Sequence, residues 1–191
     1  LTQQDTATAM KEALTQGAQL AVSELGKPGG FSNNPDVRIE LPGKLGSAAR
    51  TLKMMGMGNQ IIALETSMNQ AAEAAVPQAQ SILVNAISRM SLTDAKSVLT
   101  GGNDSATQYL ERSSREEIRA LFLPVVKQAT DQVGVAQQYN AFASQAAGFG
   151  VVDANATSVE TYVTEKALDG LFEMIAQQEA TIRSNPAAAA T

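Results

Sequence analysis

The chain has 191 residues, of which 44% are hydrophobic and 17% charged, with a net charge of −5; these values suit one soluble globular domain and exclude a disordered or membrane-like chain. It contains neither cysteine nor histidine, which removes disulfides, Cys/His zinc sites, Ser-His and Cys-His nucleophile pairs and the Glu-x-x-His motif of di-iron bundles, so no metal and no cofactor is expected. The negative charge argues against a nucleic-acid partner, which needs a basic face to displace counterions.

Alanine dominates the apolar residues and aromatics reach only 4%, so the expected fold is all-α, with helices packed closely through small side chains. The first helix is predicted from about Asp5 to Leu25, where Met10, Leu14, Ala18, Ala21 and Leu25 recur at three- and four-residue spacing. Gly26, Pro28, Gly29 and Gly30 stop it, and Asn33-Asn34-Pro35 marks a turn. Val37, Ile39 and Leu41 then alternate with Arg38 and Glu40, a strand-like run without an obvious partner, so an extended arm or a minor hairpin is expected.

A second helix is predicted over roughly Lys44 to Met55, and a third from Asn59 to Arg89 with a kink or restart at Pro77. Ser91 caps a short helix that ends at Gly101-Gly102, and Asn103 or Asp104 caps the next, which includes Tyr109. Ser113 and Ser114 stand three residues before Glu116 and Glu117, the spacing of a capping box, and predict a further helix kinked near Pro124. A charge-free helix is predicted between Asp131 and Asp153; its amides make it unsuitable for a bilayer, and no transmembrane segment is expected. Thr157 and Glu160 form another capping box, opening a last helix that runs to about Arg183. These elements predict a compact single-domain multi-helix bundle over residues 1–185, with proline-kinked helices, at most one minor strand or hairpin, and an alanine-rich tail over 186–191.

Five features are candidates for chemistry. Glycines running into a helix start can present N–H groups to a phosphate or carboxylate, which makes Gly101, Gly102, Asn103 and Asp104 candidate ligand contacts; the bland reading is a C-cap meeting an N-cap, with left-handed glycines. Arg112, Arg115 and Arg119, near that turn and Tyr109, suit an anionic ligand, against local ion pairing with Glu111, Glu116 and Glu117. Met54, Met55 and Met57, with Met68, offer thioethers to Cu(I), against adaptable core filling. Glu165, Asp169 and Glu173 line one helix face suited to acid–base work or cations, but opposite the apolar Val163, Ala167, Leu171 and Ile175, so a solvated face is expected. In the charge-free helix, Gln138, Tyr139, Phe142 and Gln145 belong either to a central helix covered on all sides or to a contact with a ligand or partner subunit.

Several strings also resemble one bacterial family. They are Lys11-Glu12-Ala13-Leu14 with Gly17, Gly26-Lys27-Pro28, Asn69 through Pro77, Leu99 through Asp104 with Ala106-Thr107-Gln108-Tyr109, Phe122 through Lys127, and Lys166 through Phe172 with Met174-Ile175. In this order and over nearly the whole chain they resemble the domain of unknown function 4197, a family of exported helical proteins from Gram-negative bacteria. The resemblance implies a periplasmic or secreted protein, in keeping with a chain that opens on Leu1, and it supplies no catalytic residues. Met54, Met55 and Met57 stand where relatives are expected to carry leucine-like residues, which weakens a metal role. The reading that follows is a non-catalytic binding protein for an apolar small molecule or a protein partner; the alternatives are a carboxylate-dependent hydrolase of cell-envelope glycan and a structural or homo-oligomeric assembly subunit.

Overall fold

The computed structural model describes residues 2–56, 58–132, 134, 136–141 and 158–184. Seven helices account for most of them: α1 (Gln3–Gly26), α2 (Gly43–Met54), α3 (Asn59–Ala75), α4 (Gln80–Ser88), α5 (Leu92–Thr100), α6 (Ser105–Gln132) and α7 (Val159–Ser184). A 3-10 turn at Val76–Ala79 joins α3 to α4, residues 136–141 are helical, and no strand occurs among the described residues. The all-α fold is therefore as expected from composition.

Local signals account for most of the boundaries. Thr2 and Asp5 form a capping box at the start of α1, each side chain bonding the other's backbone N–H. Ser91 caps α5 by accepting from the Asp94 amide at 3.0 Å. Pro77 lacks the N–H that an α-helix interior requires, and the chain tightens there into the 3-10 turn before α4 restarts. Pro124 has a different outcome: it lies on the exposed side of α6, and the helix continues through it to Gln132.

The capping boxes expected at Ser113 and Ser114 do not form, because both residues lie inside α6. Ser114 is buried, and its hydroxyl donates back to the Leu110 carbonyl instead of capping a new helix. The stripe Leu110, Ser114, Ile118, Phe122 and Val126 is continuous against the rest of the core, and its burial outweighs the local capping preference. Thr157 lies outside the described residues; α7 opens after Ser158, whose hydroxyl accepts from the Thr161 amide at 3.4 Å.

The most enclosed helix is α7, which packs against α1, α3 and α6. Its buried residues, among them Val163, Thr164, Ala167, Leu168, Leu171, Phe172 and Ile175, cover most of its circumference. Small residues bring its neighbours close: a Cβ at Gly170 would lie 2.8 Å from the Phe31 ring, so the loop after α1 rests directly on the α7 backbone. The charge-free segment has no such place within its described part. Over residues 136–141, Tyr139 is buried while Gln137, Gln138, Asn140 and Ala141 are exposed.

The strand-like run at 37–41 is an extended arm with a helix as its partner. Val37, Ile39 and Leu41 are buried and Arg38 and Glu40 exposed, as the alternation predicts. Side chains on one face of α3 supply the hydrogen bonds that a neighbouring strand would give. The Asn69 amide accepts from the Ile39 N–H at 2.8 Å and donates to the Ile39 carbonyl at 2.9 Å, while the Glu65 carboxylate accepts from the Leu41 N–H at 3.3 Å. One helical turn further on, Glu73 accepts from the backbone amides of Gly29, Phe31 and Ser32 at 3.0 to 3.2 Å. Spacing of four residues places Glu65, Asn69 and Glu73 in a row, and each buried polar group finds its partner there.

Candidate functional site

An apolar groove of about 490 Å³ runs between α1, α5, the start of α6 and the end of α7. Its apolar lining includes Met10, Ala13 and Leu14 of α1, Val98 and Leu99 of α5, and Ala106 and Ile182, and its polar lining is Thr6, Glu12, Gln16, Glu179 and Arg183. A smaller hollow of about 320 Å³ shares Thr6 and Leu99 with it and is lined also by Leu92 and Lys96. The groove exists because alanines stand where larger side chains would close the space between helices. Leu99, which lines both the groove and the smaller hollow, and Leu92, which lines the smaller hollow, are among the exposed large hydrophobics.

The turn over Gly101, Gly102, Asn103 and Asp104 is exposed and lies between Leu99 and Ala106, at the edge of this groove. At the start of α6 the backbone amides that meet an anionic group are those of Ala106 and Thr107, beyond the turn at 101–104, and that group belongs to the protein itself. The Glu179 carboxylate, only 2% exposed, accepts from the Ala106 and Thr107 amides at 2.9 and 2.8 Å and from the Thr107 hydroxyl at 2.7 Å. The Arg183 guanidinium donates to the same carboxylate at 2.8 and 3.0 Å, and to the Val98 carbonyl and the Ser105 hydroxyl at 2.8 Å each. The two side chains thus clamp the ends of α5, α6 and α7 together. The glycines are not left-handed here: Gly101 is extended, and Gly102 has no positive φ. Gly101 is needed for space, since a Cβ would fall 2.9 Å from the Ser97 carbonyl.

The remaining candidates scatter. Tyr109 is half-buried and donates to the Asp94 carboxylate at 3.4 Å; burial first, then that carboxylate, raises its pKa. Arg112 is exposed. Tyr139 packs against Tyr162 with ring centroids 6.5 Å apart, Gln138 faces outward, and Phe142 and Gln145 lie outside the described residues. The methionines do not converge: Met54 and Met55 are exposed rather than core, Met68 is fully buried, and Met57 lies outside the described residues.

The arginines and the acidic row, two separate features of the sequence, meet across α6 and α7. Arg115 bonds Glu165 at 3.1 Å and Asp169 at 2.8 Å, Arg119 holds Glu165 at 2.7 and 3.1 Å, and Glu111 and Glu116 complete the network from within α6. Partial burial pushes the Glu165 carboxyl up, but the hydrogen bonds and charges of Arg119 and Arg115 outweigh it and hold its pKa below the ordinary 4.5. A carboxylate locked in its charged form is a poor proton donor, so Glu165 does not suit the acid role in a glycan hydrolase. A lowered folded-state pKa makes this contribution to stability present above the ordinary carboxylate value and lost as pH falls through the lowered one. Acid titration of unfolding should therefore show a steeper loss in the native protein than in Arg119→Met, and equal slopes would dissociate the network from acid sensitivity. Solvent exposure of Glu165 keeps the effect modest.

A second hollow, of about 960 Å³, lies between the extended arm and the start of α7, lined by Arg38, Glu40, Tyr162, Glu165 and Lys166 among others. It is larger but half polar and open. Tyr162 donates to the Glu40 carbonyl at 2.5 Å, and burial raises its pKa strongly, so it stays protonated and pins the arm. Among the described residues, no cluster of three or more carboxylates is placed to hold a metal ion.

Sequence periodicity missed the residues that organise these sites, namely Glu65, Asn69, Glu73 and Glu179. Each interrupts an apolar face, as Glu65 and Asn69 do among Ile61, Leu64, Met68 and Ala72, and that interruption is the available signal. No curated protein and no solved structure matches this chain. The family model described as Protein of unknown function (DUF4197) matches residues 1–191, and the chain belongs to that family.

Proposed function

We propose that this is an exported, non-catalytic binding protein that holds an apolar small molecule, or an apolar segment of a protein partner, in the groove between α1, α5 and α7. The observation that carries the reading is the groove itself. Its volume of about 490 Å³ lies in the range of small-molecule sites, roughly 300 to 1,000 Å³, and its walls are mainly aliphatic. The Glu179–Arg183 pair in its lining is satisfied by the α6 amides and by its own salt bridge, and apart from Thr6, Glu12 and Gln16 the rest of the lining is apolar, so an apolar occupant is the matching chemistry. Export rests on the resemblance of the chain to exported relatives.

Native mass spectrometry of protein purified without detergent tests the reading directly, because a carried ligand appears as added mass on the monomer. Leu99 is partly exposed, so Leu99→Asp should fold normally while placing a charge in the groove wall. It is expected to weaken binding of the neutral dye phenylnaphthylamine about tenfold or more, and Ala13→Trp, which fills the groove, should do the same. Dye affinity unchanged in both variants, with no added mass on the native protein, would remove the groove as a binding site.

A further inference from the structure

We propose that the corner between α2 and α3 is a docking surface for an anionic lipid membrane. From Pro42 to Leu64 the sequence contains Lys44, Arg50 and Lys53 and no aspartate or glutamate, in a chain whose net charge is −5. The same stretch carries the two most exposed large apolar side chains among the described residues, Met54 at 88% and Met55 at 64%, and Ile62, in the first turn of α3, is also exposed. Arg50 precedes Met54 by one helical turn, so cation and thioether share a face of α2. Arg50 is exposed and enters no salt bridge among the described residues; its one polar contact is the Ser47 hydroxyl at 3.5 Å.

Nothing internal requires this corner to be apolar. α2 packs chiefly on α3 and anchors itself through the buried Leu45 and Ala49, while Met54 ends its last turn and Met55 caps it, both exposed. Gly56, with φ of 78°, then reverses the chain, and a Cβ there would meet nothing within 4 Å. A protruding pair of flexible apolar side chains beside cations matches a lipid headgroup layer. The methionines enter the acyl boundary while the basic residues stay with the phosphates. A protein partner would call for a broader patch with aromatic anchors and few lysines, and the corner has no aromatic residue. Lys53 is partly engaged by Glu65, so Arg50 is the cation to test.

The test is co-sedimentation of the full chain with vesicles of phosphatidylcholine alone and of phosphatidylcholine mixed with phosphatidylglycerol, at low salt. The native protein should bind only the mixed vesicles and should be released by high salt. Met54→Ser combined with Met55→Ser should lower the partition coefficient about tenfold or more, the effect of removing buried apolar surface. Arg50→Glu, which exchanges one attraction for a repulsion, should lower it about thirtyfold. All three residues are exposed, so unchanged circular dichroism is expected for both variants. Failure to bind phosphatidylglycerol vesicles would overturn the proposal, as would binding that neither variant weakens. If the vesicles bind nothing and the methionine substitutions instead abolish a concentration-dependent dimer, the corner is a protein contact and the lipid assignment falls.

Discussion

Replacing Glu179 with leucine should produce the larger of two severe losses of stability. The substitution strips partners from the Ala106 and Thr107 amides, the Thr107 hydroxyl and the Arg183 guanidinium in one step. Removing one member of a buried ion pair costs about 3 to 5 kcal/mol, because the other charge is left desolvated. For a domain of this size that corresponds to a fall in Tm of roughly 10 °C. Glu179→Gln retains an acceptor for the amides and should lose much less. Removing both charges in Glu179→Leu/Arg183→Leu should recover a good part of the loss, since no unpaired charge then remains buried. Thermal unfolding of the native protein, Glu179→Leu, Arg183→Leu and the double variant gives the cycle, with Glu179→Gln measured beside them. A single Glu179→Leu variant that melts like the native protein would mean that the clamp between α5, α6 and α7 contributes nothing.

The second large effect is expected at Asn69. Asn69→Asp changes one nitrogen to oxygen with almost no change in volume, yet it converts two donated hydrogen bonds, to the Ile39 and Glu65 carbonyls, into carboxylate–carbonyl repulsions. It also adds a buried negative charge beside the Glu65 carboxylate, one turn away on the same face. A loss of about 3 kcal/mol or more is expected from the unmet polar groups alone. Because the Ile39 amide keeps its acceptor, the arm should remain tethered but weakened. Proteolysis within residues 36–42 should therefore speed up before global unfolding does. Asn69→Leu, which unpairs both the amide and the carbonyl of Ile39, should expose the arm further. Identical cleavage in all three proteins would show that the arm is held by the burial of Val37, Ile39 and Leu41 alone.

Both predictions concern residues whose structural roles helical periodicity does not reveal. The stripe of α1, from Leu14 through Ala18 and Ala21 to Leu25, is readable because one helix turn repeats every few residues and burial selects the side chains on one face. The Pro77 break and the Ser91 cap are readable for an equally local reason: each depends on backbone groups within four residues. The capping signals at Ser113 and Ser114 are just as local, and there they mislead. Ile118, Phe122 and Val126 can be buried only if α6 runs on, and that long-range burial overrides the serines.

The groove shows the same division. Its alanines are visible in the sequence, but that Ala13 faces Leu99 and Ile182 across an open space depends on how α1, α5 and α7 cross. The acidic row of α7 is correctly read as lying opposite the apolar face. Its engagement by Arg115 and Arg119 is invisible until α6 lies alongside.

By itself, then, the sequence determined the all-α class, the helices and most of their ends, the alternating arm and its buried side, and the family, because each depends on periodicity or on contacts a few residues apart. Only the tertiary structure decided that α7 occupies the centre, that a row of α3 side chains replaces a partner strand for the arm, and that Glu179 meets the Ala106 and Thr107 amides at the start of α6. Those outcomes join groups separated by 24 to 73 positions in the chain. A hydrogen bond over such a span is chosen by which packing leaves no buried polar group unpaired, and no short stretch of sequence records that choice.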